Sequence, residues 1–114
     1  MSIDLQTIMR ENYAEISCKG SYNRDTFLDT IDSALNIGED KGVATVVIDI
    51  RNLHLEGPPP GTMERFYLGE MTAKIQLKHS KLIFLAVVGK VPLIDPQRFG
   101  ETVAVNRGAY GKVF

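Results

Sequence analysis

The chain has very little of several residue types that mark particular classes of protein. Its 114 residues include one cysteine, Cys18, two histidines and no tryptophan. A single cysteine forms no intramolecular disulfide, which excludes a disulfide-stabilised scaffold. It lies in an alternating apolar stretch and is expected to be a small buried residue. Neither His54 nor His79 has a spacing that is typical of a metal site, so we expect two solvated side chains, no metal and no cofactor.

Long apolar runs are also absent. No stretch approaches the ~20 residues that span a bilayer, and charged residues interrupt the N-terminus where a signal peptide would be apolar. The sequence therefore predicts no integral membrane segment and a cytoplasmic location. The net charge of −1 argues against nucleic acid as a partner, because binding to a polyanion favours a basic protein.

The small net charge hides an uneven distribution. Residues 1–57 contain five Lys/Arg and ten Asp/Glu, whereas residues 58–114 contain eight Lys/Arg and four Asp/Glu. If the two halves lie on different faces, the surface is dipolar and suits self-association or a partner of complementary charge. Interspersed, solvated charges are the alternative, and the sequence leaves both open.

The pattern in the first half of the chain predicts two strands, a helix and a third strand. Residues 3–9 and 13–20 predict an antiparallel pair joined by a short polar connection. A helical apolar period follows, with Asn23 or Asp25 as its cap and Gly42 after its end. Its inward positions are Phe27, Leu28, Ile31, Ala34, Leu35 and Gly38.

Residues 43–50 form a short apolar run, which predicts a strand covered by helices on both faces. The run ends at Asp49, Ile50 and Arg51. Open α/β sheets place their sites beyond the carboxyl ends of the strands. Asp49 and Arg51 are therefore candidate site residues, although Asp49 could equally accept hydrogen bonds from the backbone of the loop that follows.

A stiff loop and a second helix come next. Pro58, Pro59 and Pro60 fix φ and donate no backbone hydrogen bonds. The helix is predicted to open at Gly61 and Thr62, with Thr62 as its N-cap. We expect an apolar face of Met63, Phe66, Tyr67, Met71 and Ile75, and an outward face of Glu64, Arg65, Lys74 and Lys78.

The last part of the chain predicts a strand, a helix and a short strand. Residues 82–88 are continuously apolar, which makes a βαβ unit with the preceding strand and helix. Asp95 as N-cap, Pro96 at the first helical position and a staple of Ile94 with Phe99 predict a helix that starts at Pro96. It should carry Phe99 and Val103 inward and end near Gly108. Residues 112–114 then begin a final strand.

This order, β-β-α-β-α-β-α-β, resembles STAS-type domains, the fold of bacterial anti-sigma-factor antagonists. In particular, the segments 47–51, 65–69 and 98–108 are similar to recurring segments of the uncharacterised bacterial SpoIIAA-like (STAS/SEC14-like) proteins. The resemblance implies one α/β domain over residues 1–114. Its mixed sheet would have about five strands, a parallel core and flanking helices.

The resemblance also bears on the proline loop. Antagonists of the wider family carry an Asp-Ser pair there, and the serine is a phosphorylation switch. Residues 56–62 of this chain contain no serine, so the switch does not carry over directly, although Thr62 supplies a hydroxyl near the helix start. Relatives commonly continue into another helix after the last strand. A chain that stops at Phe114 would leave one apolar face for a partner or a second copy.

The sequence bears on three kinds of function. An enzyme is disfavoured, because no nucleophile elbow, phosphate-binding glycine loop or paired-histidine pattern is present. We expect a non-enzymatic, regulatory protein-interaction domain that forms homodimers. The alternative is a protein that binds a small apolar ligand or lipid. The candidate interaction or anion site comprises Asp49, Arg51, Pro58, Pro59, Pro60, Thr62, Arg65 and Lys74. Charge reversal at Arg65 or Lys74 is expected to weaken a partner complex without unfolding the protein.

Overall fold

The computed structural model describes residues 3–114 and contains one five-stranded sheet and three helices. The elements are β1 (Ile3–Met9), β2 (Ala14–Ser21), α1 (Arg24–Lys41), β3 (Thr45–His54), α2 (Thr62–Lys78), β4 (Phe84–Val88), α3 (Phe99–Asn106) and β5 (Gly111–Val113). The strand order in the sheet is β1-β2-β3-β4-β5. β1 pairs antiparallel with β2, and all other neighbours are parallel. The predicted fold class and element order are confirmed.

The first helix begins and ends where its local signals indicate. The Asn23 side chain accepts a hydrogen bond from the Thr26 backbone N–H at 3.0 Å. Gly42 follows the helix in the left-handed conformation, with φ of 70°. A Cβ is disfavoured in that conformation, so glycine suits the position. Asn23, rather than Asp25, is therefore the cap.

All three helices cover one face of the sheet. A crossover between parallel strands is right-handed, and successive strands here are also neighbours, so each helix falls on the same side. Val46, Ile48 and Ile50 of β3 accordingly belong to the core with residues of α1 and α2. The alternate residues Val47, Asp49 and Arg51 point to the opposite, open face. The prediction of a strand covered by helices on both faces is wrong.

Strand β3 is longer than the apolar run that predicts it. It continues through Arg51 to His54. Asp49 pairs with Val88, the last residue of β4, while the residues beyond it pair only with β2. Asp49 and Arg51 thus lie within a strand rather than at its end. The expected boundary is wrong because β2 supplies backbone partners that a count of apolar residues does not reveal.

Helix α2 packs through small residues as well as large ones. Its buried residues are Gly69, Ala73 and Ile75, whereas Met63 is 79% exposed and Tyr67 is 36% exposed. A Cβ at Gly69 would lie 2.5 Å from the Gly100 carbonyl oxygen. This close approach lets α2 pack against α3. The predicted apolar face is therefore wrong at Met63 and Tyr67, although Ile75 is buried as expected.

Helix α3 begins three residues later than predicted. Asp95 does accept backbone hydrogen bonds, from Gln97 and Phe99, each at 3.0 Å. These bonds close a turn over residues 95–98, in which Arg98 has a φ of 54°. The helix then runs from Phe99. Val103 is buried as expected, while Phe99 is 36% exposed.

The Gln76 side chain joins α2 to the last two strands. Its amide nitrogen donates to the carbonyl oxygens of Ile83 and Tyr110 at 3.0 and 2.8 Å, and its oxygen accepts from the Tyr110 backbone N–H at 3.0 Å. β4 begins at Phe84, so Leu82 lies outside the strand and is 77% exposed. The strand was expected to begin at Leu82.

The predictions of exposure for the two histidines and of burial for the cysteine are met at two of these three residues. His54 is solvated, with its side chain 63% exposed, as predicted. His79 is not, because its side chain is 8% exposed and contacts the carboxylates of Asp32 and Glu39 at 2.8 and 2.6 Å. Cys18 is buried, as expected, and burial raises the pKa of its thiol to about 11. No cluster that could hold a metal ion, and no helix that could cross a membrane, occurs among residues 3–114.

Candidate functional site

The candidate site is the edge of the molecule formed by the loops that follow β3 and β4. We define the proline edge as residues 55–63 and 89–98. Pro58 and Pro59 are exposed, and Pro60 is buried. The exposed Thr62 and Met63 follow in the first turn of α2. Apolar rings and side chains are therefore presented to solvent on backbone that proline restricts.

Arg65 fixes the proline edge from within. Its guanidinium donates to the carbonyl oxygens of Pro60, Leu93 and Pro92 at 3.0, 3.0 and 2.9 Å. These bonds join the proline loop, α2 and the loop after β4. Arg65 was predicted to face outward, and this is wrong. Most of its N–H groups are engaged inside the protein, so few remain to donate to a partner, although the guanidinium keeps its charge.

A second contact attaches the start of α2 to the segment before α1. The Tyr22 hydroxyl donates to the Glu64 carboxylate at 2.9 Å. Burial raises the pKa of Tyr22 well above its ordinary value, and the bond to Glu64 raises it further. Next to this pair, the Arg24 guanidinium lies 4.6 Å from the centre of the Tyr67 ring. Sequence reasoning missed Tyr22, because its partner is 42 residues away and no local pattern marks it.

Asp95 shapes the other half of the proline edge. Hydrogen bonds from the backbone N–H groups of Phe99 and Gln97 lower the pKa of its carboxyl group. Before this turn, Ile94 packs against Gly89, where a Cβ would lie 2.5 Å from Ile94 Cγ1. From the sequence, the Asp-Pro pair at residues 95 and 96 predicts the start of a helix. It marks a turn that positions the loop, not the start of a helix.

Asp49 and Arg51 form an ion pair on the open face of the sheet. Arg51 donates to Asp49 Oδ1 through Nε at 3.0 Å and to Oδ2 through Nη2 at 2.8 Å. The bond to Arg51 lowers the pKa of Asp49 despite the burial of its carboxyl group. Within residues 3–114 neither side chain has a hydrogen bond or ion pair with Thr62, Arg65 or Lys74. These two candidates therefore belong to a different surface from the proline edge.

Thr62 and Lys74 lie far apart along the axis of α2. Thr62 is the first residue of the helix, and Gly61 occupies the N-cap without a side-chain hydrogen bond, so the prediction that Thr62 is the cap is wrong. The Thr62 side chain is exposed at the proline edge. Lys74 is twelve residues further on, which at 1.5 Å per residue is about 18 Å along the axis. The predicted site residues therefore lie in three separate places: the open face of the sheet, the proline edge and the second half of α2.

An apolar cavity of about 130 Å³ lies beneath the proline edge, between the helices and the sheet. Its walls include Phe27, Ile31, Leu68, Leu85 and Val87, and polar groups of Arg65, Asp95 and Arg98 also line it. Such a space suits a small apolar molecule better than an extended lipid chain, because engineered cavities of ~150 Å³ accommodate benzene.

Several solved structures resemble this chain, and two of them match it over almost its whole length. One is an anti-sigma factor antagonist from Mycobacterium paratuberculosis, with a TM-score of 0.56 and 14% identity over 96% of this chain and 85% of that chain. The other is an uncharacterised DUF3478 family protein with a SpoIIAA-like fold from Shewanella loihica, with a TM-score of 0.50 and 18% identity over 99% of this chain and 85% of that chain.

Comparisons at the level of sequence add nothing to this. No family model matches the chain, and no curated protein matches it. The two structural likenesses, both at low identity, concern the arrangement of strands and helices and not an activity. The fold predicted from the element order is nevertheless the one found, and the chain has the SpoIIAA-like fold.

Proposed function

We propose that this protein is a non-enzymatic, regulatory protein-interaction domain that binds its partner through the proline edge. The observation that carries this proposal is the rigid surface held by Arg65, with its three hydrogen bonds to loop carbonyls. The likeness in fold to an anti-sigma factor antagonist, a protein named for its protein target, supports it. Self-association and a cytoplasmic location belong to the same proposal.

Rigidity is what makes this surface suitable for binding. Residues that are fixed before association lose little conformational entropy when a partner docks. The proline edge also presents Met63, which is 79% exposed, beside Pro58 and Pro59. Methionine adapts to many apolar surfaces, and the polar Thr62 next to it gives a hydrogen-bonding rim. A partner with a matching apolar patch would bury this edge.

The test is affinity purification from the source cells with the wild-type protein and a Met63→Asp variant. We expect the partner recovered with wild type to be lost with Met63→Asp, because a buried carboxylate without a partner opposes docking. Since Met63 is exposed, the variant should remain folded, which circular dichroism would verify.

The matched control is Lys112→Glu, which changes an exposed residue on the open face of the sheet. It should recover the same partner as wild type. Equal recovery by folded Met63→Asp would contradict the proline edge as the binding surface.

The cavity favours a second candidate function, the binding of a small apolar ligand. Native mass spectrometry of the protein purified from cells would reveal a retained ligand. In addition, benzene should raise the melting temperature of wild type, because a ligand that binds only the native state stabilises it. Ala104→Leu, which places a larger side chain at a cavity-lining residue, should remove that shift. A clean apo mass and no benzene effect would count against this function.

A further inference from the structure

The first strand has a long free edge. β1 runs over seven residues, Ile3–Met9, and pairs only with β2, whereas β5, at the other edge of the sheet, has three residues. Edge strands usually carry lysine, proline or a bulge, which prevent pairing with other chains. β1 has none of these, because its register with β2 is continuous and Asp4 is its one charged residue. It can therefore accept a further strand.

Every second residue of β1 directs its backbone N–H and C=O groups away from β2. In an antiparallel pair, residues that exchange two hydrogen bonds with their partner alternate with residues that exchange none. The Arg10 backbone N–H donates to the Tyr13 carbonyl oxygen at 2.9 Å, so the even-numbered residues of this ladder bond to β2. Among the described residues 3–114, no other strand pairs with the outward groups. They belong to Ile3, Leu5, Thr7 and Met9.

The side chains of the same four residues form a largely apolar strip. In the register they lie opposite residues of β2 whose side chains face the helices, among them the buried Ile16 and Cys18. Leu5 is nevertheless 40% exposed and Met9 is 45% exposed, since α1 packs against β2 and β3 more than against β1. Free backbone groups and exposed apolar side chains therefore coincide at this edge.

We propose that β1 pairs with β1 of a second copy of this chain, so that the two sheets join into one. A twofold axis perpendicular to the sheet makes the two edge strands antiparallel and leaves the helices of both copies on the same face. With the axis at Gln6, Leu5 lies opposite the partner's Thr7, and Ile3 lies opposite the partner's Met9. Each of the four outward residues in each copy then donates one backbone hydrogen bond and accepts another.

The residues on either side of Gln6 favour a second copy in this register. A shift by two residues would leave the outward groups of either Ile3 or Met9 without partners. The Asp4 carboxylates of the two copies are separated by about 14 Å, which exceeds the screening length of ~8 Å, so they repel each other little. Arg10, directly after β1, lies diagonally across from the partner's Asp4, which places opposite charges near each other twice.

This inference rests on the self-association within the proposed function, and it assigns that association to a surface that shares no residue with the proline edge. In the monomer, β1 has one neighbouring strand and its amides exchange rapidly with solvent. In the dimer, β1 lies inside the joined sheet. Hydrogen exchange in a peptide from β1 should therefore become slower as the protein concentration is raised, whereas exchange in a peptide from β5 should not change.

A proline at position 7 tests the backbone pairing. Thr7→Pro removes an outward N–H, which β2 does not use, and proline is tolerated at such positions of edge strands. In sedimentation velocity we expect wild type to dimerise and Thr7→Pro to do so at least ~10-fold more weakly, because the ring also obstructs the approaching strand. The matched control is Thr7→Ala, which keeps the N–H and should dimerise like wild type. Circular dichroism would verify that both variants are folded.

A cysteine at position 6 tests the register. Across the proposed axis, the Cα atoms of the two Gln6 residues are about 4.5 Å apart, which a disulfide can bridge. Gln6→Cys should therefore form a covalent dimer under mild oxidation, as seen by non-reducing electrophoresis. The control is Asp4→Cys, which is exposed on the same face but too far from its copy to be bridged. The natural Cys18 is buried and should not react.

Three results would each overturn the inference. The first is a wild-type protein that stays monomeric when concentrated. The second is a folded Thr7→Pro variant that dimerises as well as Thr7→Ala. The third is a Gln6→Cys variant that forms covalent dimers no faster than Asp4→Cys, and this result does not depend on how well the proline variant folds. None of them affects binding of a different partner at the proline edge, which the Met63→Asp experiment measures separately.

Discussion

Arg65 illustrates how far the role of one residue depends on its surroundings. We predict that Arg65→Ala lowers the free energy of unfolding by about 2 kcal/mol, since it removes three hydrogen bonds from a charged donor to loop carbonyls. Arg65→Glu should be worse, because a carboxylate would face those carbonyl oxygens. Urea unfolding followed by circular dichroism measures both. The earlier expectation that charge reversal here leaves the fold intact is thus replaced.

Lys74→Glu is the control for this experiment. Lys74 is exposed and makes no ion pair within residues 3–114, so its substitution should change the free energy of unfolding by less than ~0.5 kcal/mol. If Arg65→Ala were as stable as Lys74→Glu, the three bonds would not hold the proline edge.

Residues whose partners are close in sequence could be predicted, and others could not. Asn23 and Gly42 act on backbone groups within four residues, and their roles follow from residue type. Arg65 reaches carbonyls 27 and 28 residues away, and His79 reaches carboxylates 40 and 47 residues away. Nothing in a single sequence connects such positions. Both were therefore expected, wrongly, to face solvent.

At the scale of elements, the contact between α2 and α3 depends on Gly69. In an isolated helix Gly→Ala is stabilising by ~1 kcal/mol. Here we expect Gly69→Ala to destabilise the protein by about 1–3 kcal/mol, because its Cβ would lie 2.5 Å from the Gly100 carbonyl oxygen and 2.9 Å from Val103 Cβ. Thermal unfolding measures the effect. Gly57→Ala, with no atom within 4 Å of its Cβ, is the control and should be nearly neutral.

The contact between the ends of α1 and α2 depends on the protonation of His79. Burial alone lowers the pKa of His79, but the hydrogen bonds to Glu39 and Asp32 outweigh it, so the net pKa is raised above 6.5. Only the protonated ring can donate from both nitrogens. Since the folded pKa exceeds the unfolded one, this stabilisation is complete below pH 6.5 and is lost as pH rises through the folded pKa.

We therefore predict that the melting temperatures of wild type and His79→Gln differ by several degrees at pH 6 and by less at pH 9. Scanning calorimetry at the two pH values measures this. His54→Gln, at a ring that is 63% exposed, should change stability little. A difference between wild type and His79→Gln that stays constant from pH 6 to pH 9 would contradict a protonated bridge.

The helix boundaries show which local signals are ambiguous. Asp-Pro favours both a helix start and a turn, and in this chain the turn over residues 95–98 precedes α3. The spacing of apolar residues alone also predicted the wrong buried face for α2. Helices pack against it on both sides, and close contact with them requires small residues such as Gly69 and Ala73. Met63, at the end of the helix beyond those neighbours, stays in solvent.

For the whole molecule, the strand order sets the distribution of local stability. β3 is central in the sheet, and β1 and β5 form its edges. Amides that exchange only on global opening are found in central strands. We predict that hydrogen exchange is slowest in β3 and distinctly faster in β1, where a single neighbour supplies hydrogen bonds. Exchange measured by mass spectrometry on peptides from both strands would show this, and equal protection would contradict it.

The alternation of strands and helices allowed the fold class to be predicted, but not the side on which the helices lie. A doubly wound sheet with a different strand order uses the same succession of elements and covers both faces. Here each strand adds next to the previous one, so the right-handed crossovers place every helix on one side. That choice leaves Asp49 and Arg51 on the open face and separates them from the rest of the predicted site.

The burial of Cys18 has a consequence for how this protein can be studied. It is the only cysteine in the chain, its exposed fraction is 0%, and its thiol has a pKa of about 11. Labelling requires the thiolate to attack the thiol reagent, so the reagent must reach the buried sulfur. Each labelled molecule therefore records one opening of the core between β2 and the helices. The rate at which Cys18 is labelled in native buffer would therefore measure how long the folded core stays closed. No cysteine has to be introduced for this measurement.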